Sequence, residues 1–240
     1  MRWARLSCAA LALMLTLAGA ATDPALQTAP ADGWAALAGG TRGGSAAATS
    51  QIYTATNRTE LLAAFASGGN LPKIVKVVGT IDMSDGVPYV SRADQTARAT
   101  LTVPSNTTLV GAGPGAGLVN GSVSITGVTQ VIVRNLKTVA PCDVAPVWDP
   151  TDGATGNWNA AFDAISVTAA DHVWIDHNTI TDAPVTDDTL PIENGKTKQC
   201  HDGAIDITRG ADYVTLASHF FPSRPLHCRL PDSPHLKAPF

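Results

Sequence analysis

Apolar residues recur along most of this chain in short β-branched runs separated by polar or glycine-rich positions. Runs of this length, rich in valine and isoleucine and bounded by turn residues, predict β-strands. The clearest early runs cover residues 74–78, 107–110, 123–125 and 131–133. A single short helix is predicted over residues 57–65, with Asn57 or Thr59 as its N-cap. The pattern therefore predicts an all-β protein.

The strand pattern repeats along the chain. Alignment of the later runs places Val131, Val173 and Val214 in register, at intervals of 42 and 41 residues. Each interval contains two short strands, so a strand pair recurs about every twenty residues, which predicts a solenoid of stacked coils. A β-sandwich also has short strands with frequent turns and is the alternative. The long insertion at residues 141–159 favours the solenoid, because one coil can carry it as a projecting loop.

Two similar acidic segments stand out in this repeat. Asp163 precedes the run Ala-Ile-Ser-Val, and Asp202 precedes Gly-Ala-Ile, which Asp206 follows. Adjacent similar segments can bring three carboxylates to one hard cation, since oxygen ligands suit Ca²⁺ and a carboxylate cluster without a cation repels itself. Three separate surface aspartates are the alternative.

The N-terminus predicts export. Residues 1–20 combine a positive start, a short apolar run and an Ala-Gly-Ala end, which is the pattern of a secretory signal peptide. The apolar run is too short for a membrane span, and no later segment resembles one. We expect a secreted, extracellular protein with a flexible lead at 21–50, a β-helix domain at 51–216 and an aberrant tail at 217–240.

The charge excludes one class of partner. The formal net charge is −4, and removal of Arg2 and Arg5 with the signal peptide would make it −6. An acidic protein is a poor nucleic-acid binder. Binding of an acidic polysaccharide to this acidic protein would require a bridging metal ion or a local basic patch.

The cysteines leave two possibilities open. Cys142 and Cys200 each lie shortly before a carboxylate-bearing segment, whereas Cys8 falls in the signal peptide. In an oxidising compartment Cys142 and Cys200 could form a disulfide. Free buried thiols are the alternative.

Several motifs together resemble the pectate lyases of the right-handed parallel β-helix type. The resemblance covers roughly residues 33–216, and the order and spacing of its motifs are specific although each alone is weak. The motifs are residues 148–153 (Trp-Asp-Pro-Thr-Asp-Gly), 156–159 (Gly-Asn-Trp-Asn), 173–177 (Val-Trp-Ile-Asp-His) and 201–206 (His-Asp-Gly-Ala-Ile-Asp).

The resemblance implies a calcium-dependent lyase that degrades pectin by β-elimination of α-1,4-linked polygalacturonate. Asp163, Asp202 and Asp206 match the family's primary calcium ligands, and His201 could orient the ligand beside it. We expect a monomer whose partner is the polysaccharide. A bound calcium ion would also explain how an acidic protein holds a polyanion.

Other conspicuous residues have two interpretations each. His177 invites a general-base role, but in the pattern that this chain resembles its segment is structural, which favours a packed, hydrogen-bonded residue. Trp148 and Trp158 could stack on sugar rings or anchor their loop.

The chain departs from the family pattern after Leu216. Residues 217–240 contain five prolines and no glycine, and the strand period stops. The family's proton-accepting arginine and substrate-binding lysine have no matching position here, and Arg224 and Arg229 match none of its motifs. The catalytic residue is therefore unassigned, the β-helix is expected to be incomplete at its C-terminal end, and weak or absent cleavage is predicted.

Three other functions compete with the lyase. The nearest is a non-catalytic secreted β-helix that binds acidic polysaccharide through calcium. A surface or adhesin solenoid would need no metal carboxylates. A polygalacturonan hydrolase would need two carboxylates set for attack by water, whereas the acidic residues here are arranged as a calcium cluster.

Overall fold

The computed structural model of the protein describes residues 23–222 and the backbone of residues 227–229. Its strands, numbered in chain order, are β1 Ile52–Ala55, β2 Lys73–Val77, β3 Thr80–Asp82, β4 Thr100–Thr102, β5 Thr107–Gly111, β6 Gly117–Val119, β7 Ser122–Thr126, β8 Thr129–Arg134, β9 Lys137–Val139, β10 Val147–Asp149, β11 Asn157–Asn159, β12 Ile165–Thr168, β13 Asp171–Asp176, β14 Thr179–Thr181, β15 Ile192–Glu193, β16 Lys196–Thr197, β17 Gly203–Thr208, β18 Asp212–Ala217 and β19 His227–Arg229. The α-helices are α1 Arg58–Ala66 and α2 Arg92–Ala99, and single 3₁₀ turns cover Pro24–Leu26, Trp34–Ala36, Thr49–Gln51 and Asp187–Thr189.

Most strands belong to three parallel sheets that run along the molecule. We call them the long sheet (β1-β2-β5-β8-β13-β18), the short sheet (β3-β6-β9-β14) and the carboxylate sheet (β4-β7-β12-β17-β19). From β2 onward the chain visits the long, the short and the carboxylate sheet in turn, and then returns to the long sheet one coil further on. This connectivity is that of a parallel β-helix, so the predicted fold class is confirmed and the sandwich is excluded.

The predicted register is confirmed, but the predicted number of strands in each coil is wrong. Val131 of β8 pairs with Val173 of β13, which pairs in turn with Val214 of β18. Each full coil contributes three strands rather than a pair. The third strand was missed because the short-sheet strands have only three residues each, too few to show an alternating pattern.

The core lies between the three sheets. Ile165, Val167, Ile205 and Val214 belong to the main apolar cluster and are at most 1% exposed. Ile132 and Trp174, also predicted to be buried, are buried on the other face of the long sheet, where they pack with Ala35. Side chains alternate across a strand, so a sheet with apolar residues on both faces needs a cover on its outer face.

The N-terminal segment provides that cover, which differs from the predicted flexible lead. Ala25 packs against Ile74 and Val110, and the backbone N–H of Ala35 donates to Thr215 Oγ1 at 2.9 Å. Gly44 lies so close to β2 that an added Cβ would come within 1.8 Å of a backbone oxygen. The Ala/Gly-rich composition therefore reflects close packing on the sheet.

Helix α1 closes the N-terminal end of the core and begins as predicted. The Asn57 side chain accepts from the backbone N–H of Glu60 at 2.9 Å, and Glu60 Oε2 accepts from the backbone N–H of Thr56 at 2.8 Å. This reciprocal arrangement satisfies N–H groups that the helix itself cannot pair. At the other end, buried Lys73 donates through Nζ to the carbonyls of Phe65 and Ser67.

The three longest insertions leave the β-helix at the same corner. Helix α2 lies between β3 and β4, the antiparallel pair β10–β11 between β9 and β12, and the antiparallel pair β15–β16 between β14 and β17. Each connects the short sheet to the carboxylate sheet. The insertions therefore gather beside the start of the strands that follow Asp163 and Asp202.

Beyond Leu216 the chain continues to pair with the sheets of the β-helix, further along than the sequence predicted. Phe220 bridges to Thr179 of the short sheet, and the backbone N–H of Ile180 donates to its carbonyl at 3.0 Å. Strand β19 then pairs with β17, parallel to it. These pairings use backbone groups, which is why a segment without valine or isoleucine can form them. The predicted signal peptide and most of the predicted tail fall outside the described residues. Among the residues that the structure does describe, no helix is long and apolar enough to cross a membrane.

His219 should make the protein less stable in mild acid. Its Nε2 lies 3.1 Å from the Ile175 carbonyl, and burial lowers the pKa of the ring below its ordinary 6.5. Below about pH 6.5 the unfolded chain therefore binds more protons than the folded chain, so the free energy of unfolding decreases as the pH falls. Above that pH the ring is neutral in both states and the stability is fully retained. We expect His219→Phe to lose less stability than the wild type between neutral pH and about pH 5 in urea denaturation. Identical pH dependence of the two proteins would contradict this.

Candidate functional site

The predicted ligands Asp163 and Asp202 lie side by side on neighbouring coils. The backbone N–H of Asp202 donates to the Phe162 carbonyl at 3.3 Å, and that of Ala164 donates to the Gly203 carbonyl at 3.1 Å. These bonds continue the contact between the two coils backward past the aspartates with a one-residue shift, because the register of β12 and β17 by itself would place Asp163 opposite Gly203. Neighbouring strands are about 4.8 Å apart, so the two positions are adjacent across the carboxylate sheet.

Asp206 is the third predicted ligand and lies further along β17. It pairs in register with Ser166 of β12, and Ser166 Oγ donates to Asp163 Oδ2 at 2.9 Å. Asp163 is 7% exposed, Asp206 is half-buried and Asp202 is exposed. The three carboxylates thus belong to two adjacent coils. Asp163 and Asp202 lie just before β12 and β17, Asp206 lies within β17, and their exposure ranges from buried to solvent-facing.

This donor set fits calcium by its chemistry. Three carboxylates bring several oxygen atoms and three negative charges, and Ca²⁺ takes six to eight oxygen ligands in a flexible geometry. A buried carboxylate such as Asp163 is costly without a compensating partner, and Ser166 supplies one hydrogen bond to it. The assignment of the three aspartates as calcium ligands remains a prediction, now with a defined place in the fold.

His201 has a described partner other than the aspartate that follows it. Its ring is 4% exposed, and Nδ1 lies 2.9 Å from Asp187 Oδ1 and 3.5 Å from Cys200 Sγ. Because a carboxylate only accepts, Nδ1 carries the hydrogen in this arrangement. The ring ties the start of β17 to the insertion that contains Asp187, and its predicted role in orienting Asp202 stays a prediction.

Cys142 and Cys200 form a disulfide, which decides between the two possibilities left open by the sequence. The bridge spans 58 residues and joins Cα atoms 4.7 Å apart. It connects the start of the insertion before β12 to the segment immediately before Asp202. Both carboxylate-bearing segments are therefore covalently tied to each other.

A buried carboxylate beside the disulfide was missed by the sequence interpretation. The Asp143 side chain is fully buried and binds Arg92 Nη2 at 2.7 Å. It also accepts from the backbone N–H groups of Ala145, at 2.8 Å, and of Ala161, at 3.0 Å. Asp143 thus fixes both ends of the insertion, and Ala161 is two residues before Asp163.

Helix α2 holds the same insertion from the other side. Gln95 Nε2 donates to the Cys142 carbonyl at 2.8 Å, and Gln95 Oε1 accepts from the backbone N–H of Val144 at 2.9 Å. These contacts link residues about fifty positions apart, so no local spacing in the sequence indicates them. A glutamine and an arginine at the start of a short polar helix carry no signal of this role.

The two insertion tryptophans pack on each other. Trp148 and Trp158 make an edge contact with ring centroids 5.5 Å apart. Trp158 is 8% exposed, donates through Nε1 to the Glu193 carbonyl at 3.3 Å, and has Lys198 Nζ 5.1 Å from its ring centroid. These contacts favour the loop-anchoring role for Trp158, because they join the β10–β11 and β15–β16 insertions.

His177 lies on a different sheet from the aspartates. Its side chain is 58% exposed, and Nδ1 lies 2.7 Å from Asp176 Oδ2. The prediction of a hydrogen-bonded residue is confirmed, and the prediction that it is packed is wrong. Its φ of 52° turns the chain at the end of β13, which points the ring outward although the four preceding residues are buried. It borders a cleft of about 630 Å³ on the outer face of the long sheet.

The fold and the site together define a parallel β-helix whose insertions gather at one corner, beside carboxylates from successive coils. The family model described as pectate lyase matches residues 4–228. The chain belongs to the pectate lyase family.

Relatives and solved structures agree with this assignment. Pectate lyase E of Dickeya dadantii (strain 3937) is 43% identical over 217 residues, covering 88% of this chain and 52% of the relative. The pectate lyase of Bacillus subtilis (strain 168) is 36% identical, covering 88% and 61%. A solved thermostable pectate lyase is 34% identical with a TM-score of 0.74, covering 80% and 58%, and a pectate lyase bound to a hexasaccharide is 33% identical with a TM-score of 0.75, covering 84% and 63%. The chain thus spans about half to three-fifths of the length of these relatives.

Proposed function

We propose that this chain acts on α-1,4-linked polygalacturonate by calcium-dependent β-elimination, as a secreted pectin-degrading lyase. The observation that carries the proposal is the position of Asp163, Asp202 and Asp206 on two adjacent coils, the first two just before β12 and β17 and the third within β17. Membership of the pectate lyase family and the hexasaccharide complex of a solved relative support a polysaccharide substrate.

The three aspartates would hold the ion, each in a different setting. Asp163 is the buried member and is oriented by Ser166, whereas Asp202 is exposed. A bound calcium ion would neutralise the uronate carboxylate, which raises the acidity of the proton α to it. The disulfide and Asp143 would keep the segments that carry Asp163 and Asp202 in place during substrate binding.

The proton acceptor is not assigned by this proposal. β-Elimination needs a base within hydrogen-bond reach of the α proton. Arg224 lies outside the described residues. The backbone of Arg229 pairs with Asp206 across β17 and β19. Position 229 therefore lies beside the carboxylates, and no role is assigned to its side chain.

An elimination assay tests the proposal. Purified chain should bind polygalacturonate in about millimolar Ca²⁺, enough for a weak extracellular-type site, and form unsaturated uronide slowly, as measured by its ultraviolet absorbance. A chelator should abolish both. Binding without cleavage would favour the non-catalytic alternative. New reducing ends without unsaturated product would indicate a hydrolase and contradict the proposal.

A further inference from the structure

A group of metal-binding atoms lies beside the disulfide, immediately before Asp202 in the chain, and includes none of the three aspartates proposed to bind calcium. Asp187, Cys200 and His201 each bring one potential ligand atom, and these atoms all lie within 4.8 Å of one another. Within the part of the chain that the structure describes, this is the one group of three or more His, Cys, Asp or Glu residues whose ligand atoms all lie within 4.8 Å of one another. Cys142 Sγ, bonded to Cys200 Sγ, adds a fourth potential donor at the same place.

The spacing of these atoms matches the edges of a tetrahedral zinc site. With Zn–S of about 2.3 Å and Zn–N of about 2.0–2.1 Å, sulfur and nitrogen ligands on one tetrahedral ion are about 3.5 Å apart. Cys200 Sγ and His201 Nδ1 are 3.5 Å apart, and His201 Nδ1 is 2.9 Å from Asp187 Oδ1. Asp187, Cys200 and His201 therefore lie near one another already, whereas Cys142 Sγ and Cys200 Sγ, bonded in the disulfide, would have to move apart on reduction.

The surrounding structure already holds these donors in place. Asp187 Oδ1 also accepts from the backbone N–H of Cys200 at 3.1 Å, which fixes the carboxylate over the site. Cys200 and His201 are 3% and 4% exposed, whereas the Asp187 side chain is 28% exposed. Two donors are thus buried, and the carboxylate side offers an ion a path from solvent.

We infer that the reduced chain binds one zinc-class cation through Cys142, Cys200, His201 and Asp187. Two sulfurs, one imidazole and one carboxylate form a donor set that suits Zn²⁺ and not Ca²⁺, which prefers oxygen alone. The inference does not depend on the proposed lyase function, because none of these four residues is among the predicted calcium ligands.

The disulfide and the metal site exclude each other. A thiol or phosphine reductant supplies the two electrons that cleave the S–S bond and is itself oxidised. Two protons then convert the released sulfurs into thiols. The cation then displaces the two thiol protons, and the neutral His201 ring changes tautomer, so that its one N–H hydrogen moves from Nδ1 to Nε2 and the Nδ1 lone pair is free to coordinate. After the ion is removed, an added disulfide or molecular oxygen takes up two electrons and the two thiol protons, and the bridge forms again.

Cobalt titration of the full chain tests the inference, with Co²⁺ as a coloured substitute for Zn²⁺. The phosphine-reduced protein should bind one Co²⁺ with a tetrahedral spectrum and a thiolate charge-transfer band, and Zn²⁺ should displace it. The oxidised protein should show neither. His201→Gln should weaken Co²⁺ binding at least about tenfold, as expected for loss of a ligand, whereas Asp206→Asn should leave the spectrum unchanged.

A second variant removes the dependence on reductant. Cys142→Ala cannot form the bridge, so it exposes Cys200, His201 and Asp187 without reduction and should give a weaker thiolate–cobalt spectrum. Circular dichroism reports whether each protein remains folded. The inference is overturned if folded Cys142→Ala shows no thiolate charge transfer, or if the reduced wild type binds Co²⁺ no more tightly than a Cys142→Ala/Cys200→Ala variant.

Discussion

Asp206→Asn should lower calcium affinity by roughly two orders of magnitude, because calcium affinity depends on the number of charged ligands and this change removes one charge of three. The substitution keeps the shape of a half-buried side chain on β17, so the fold should survive. Isothermal titration calorimetry of the purified chain measures the affinity directly. Calcium-dependent binding and cleavage of polygalacturonate should fall in parallel at a fixed Ca²⁺ concentration.

Asp212→Asn is the matched control. Asp212 is also a half-buried strand aspartate only six positions away, but it begins β18 of the long sheet and pairs with Asp171. It should retain near wild-type calcium affinity. Equal losses in the two variants would mean that the aspartates act through general charge, and the proposed ligand set would then be wrong.

The central part of the fold could be predicted from the sequence because one signal repeats. Long-sheet strands β8, β13 and β18 each carry a short, largely apolar run at the same place, and stacking of successive coils converts that repeat into the register of Val131, Val173 and Val214. The short-sheet strands escaped prediction, since three residues cannot define a period. The covering segment escaped it as well, because Ala and Gly mark both flexible linkers and tightly packed chain.

The candidate site was likewise only partly predictable from the sequence. The three aspartates could be predicted as ligands because Asp163 and the pair Asp202 and Asp206 lie in or beside matching segments, which the structure pairs as β12 and β17. The support for these segments was not found. Arg92 and Asp143 meet across 51 residues, and only the convergence of the insertions at one corner brings them together. Sequence motifs therefore indicate candidate ligands, whereas the contacts that hold the candidate segments in place appear only in the tertiary structure.

The largest stability loss is expected from breaking the ion pair under the N-terminal cover. Arg134 and Asp176 are register partners on β8 and β13, Nη2 lies 2.7 Å from Oδ2, and their side chains are 7% and 3% exposed. The guanidinium also lies 4.3 Å from the Trp174 ring centroid and contacts Gln27. Asp176→Ala would leave a buried cation without its carboxylate, which costs about 3–5 kcal/mol. Urea denaturation should show this as a lower free energy of unfolding.

An exposed pair in the same chain provides the comparison. Glu193 and Lys198 lie 3.2 Å apart with side chains 44% and 32% exposed, so Glu193→Ala should cost no more than about 1 kcal/mol. If the two single variants lose the same stability, burial is not what makes the Arg134–Asp176 pair important. The double variant Arg134→Met/Asp176→Leu separates the remaining possibilities. It removes both charges and should recover most of the loss, because the penalty comes from the unpaired buried charge rather than from the absence of an ion pair.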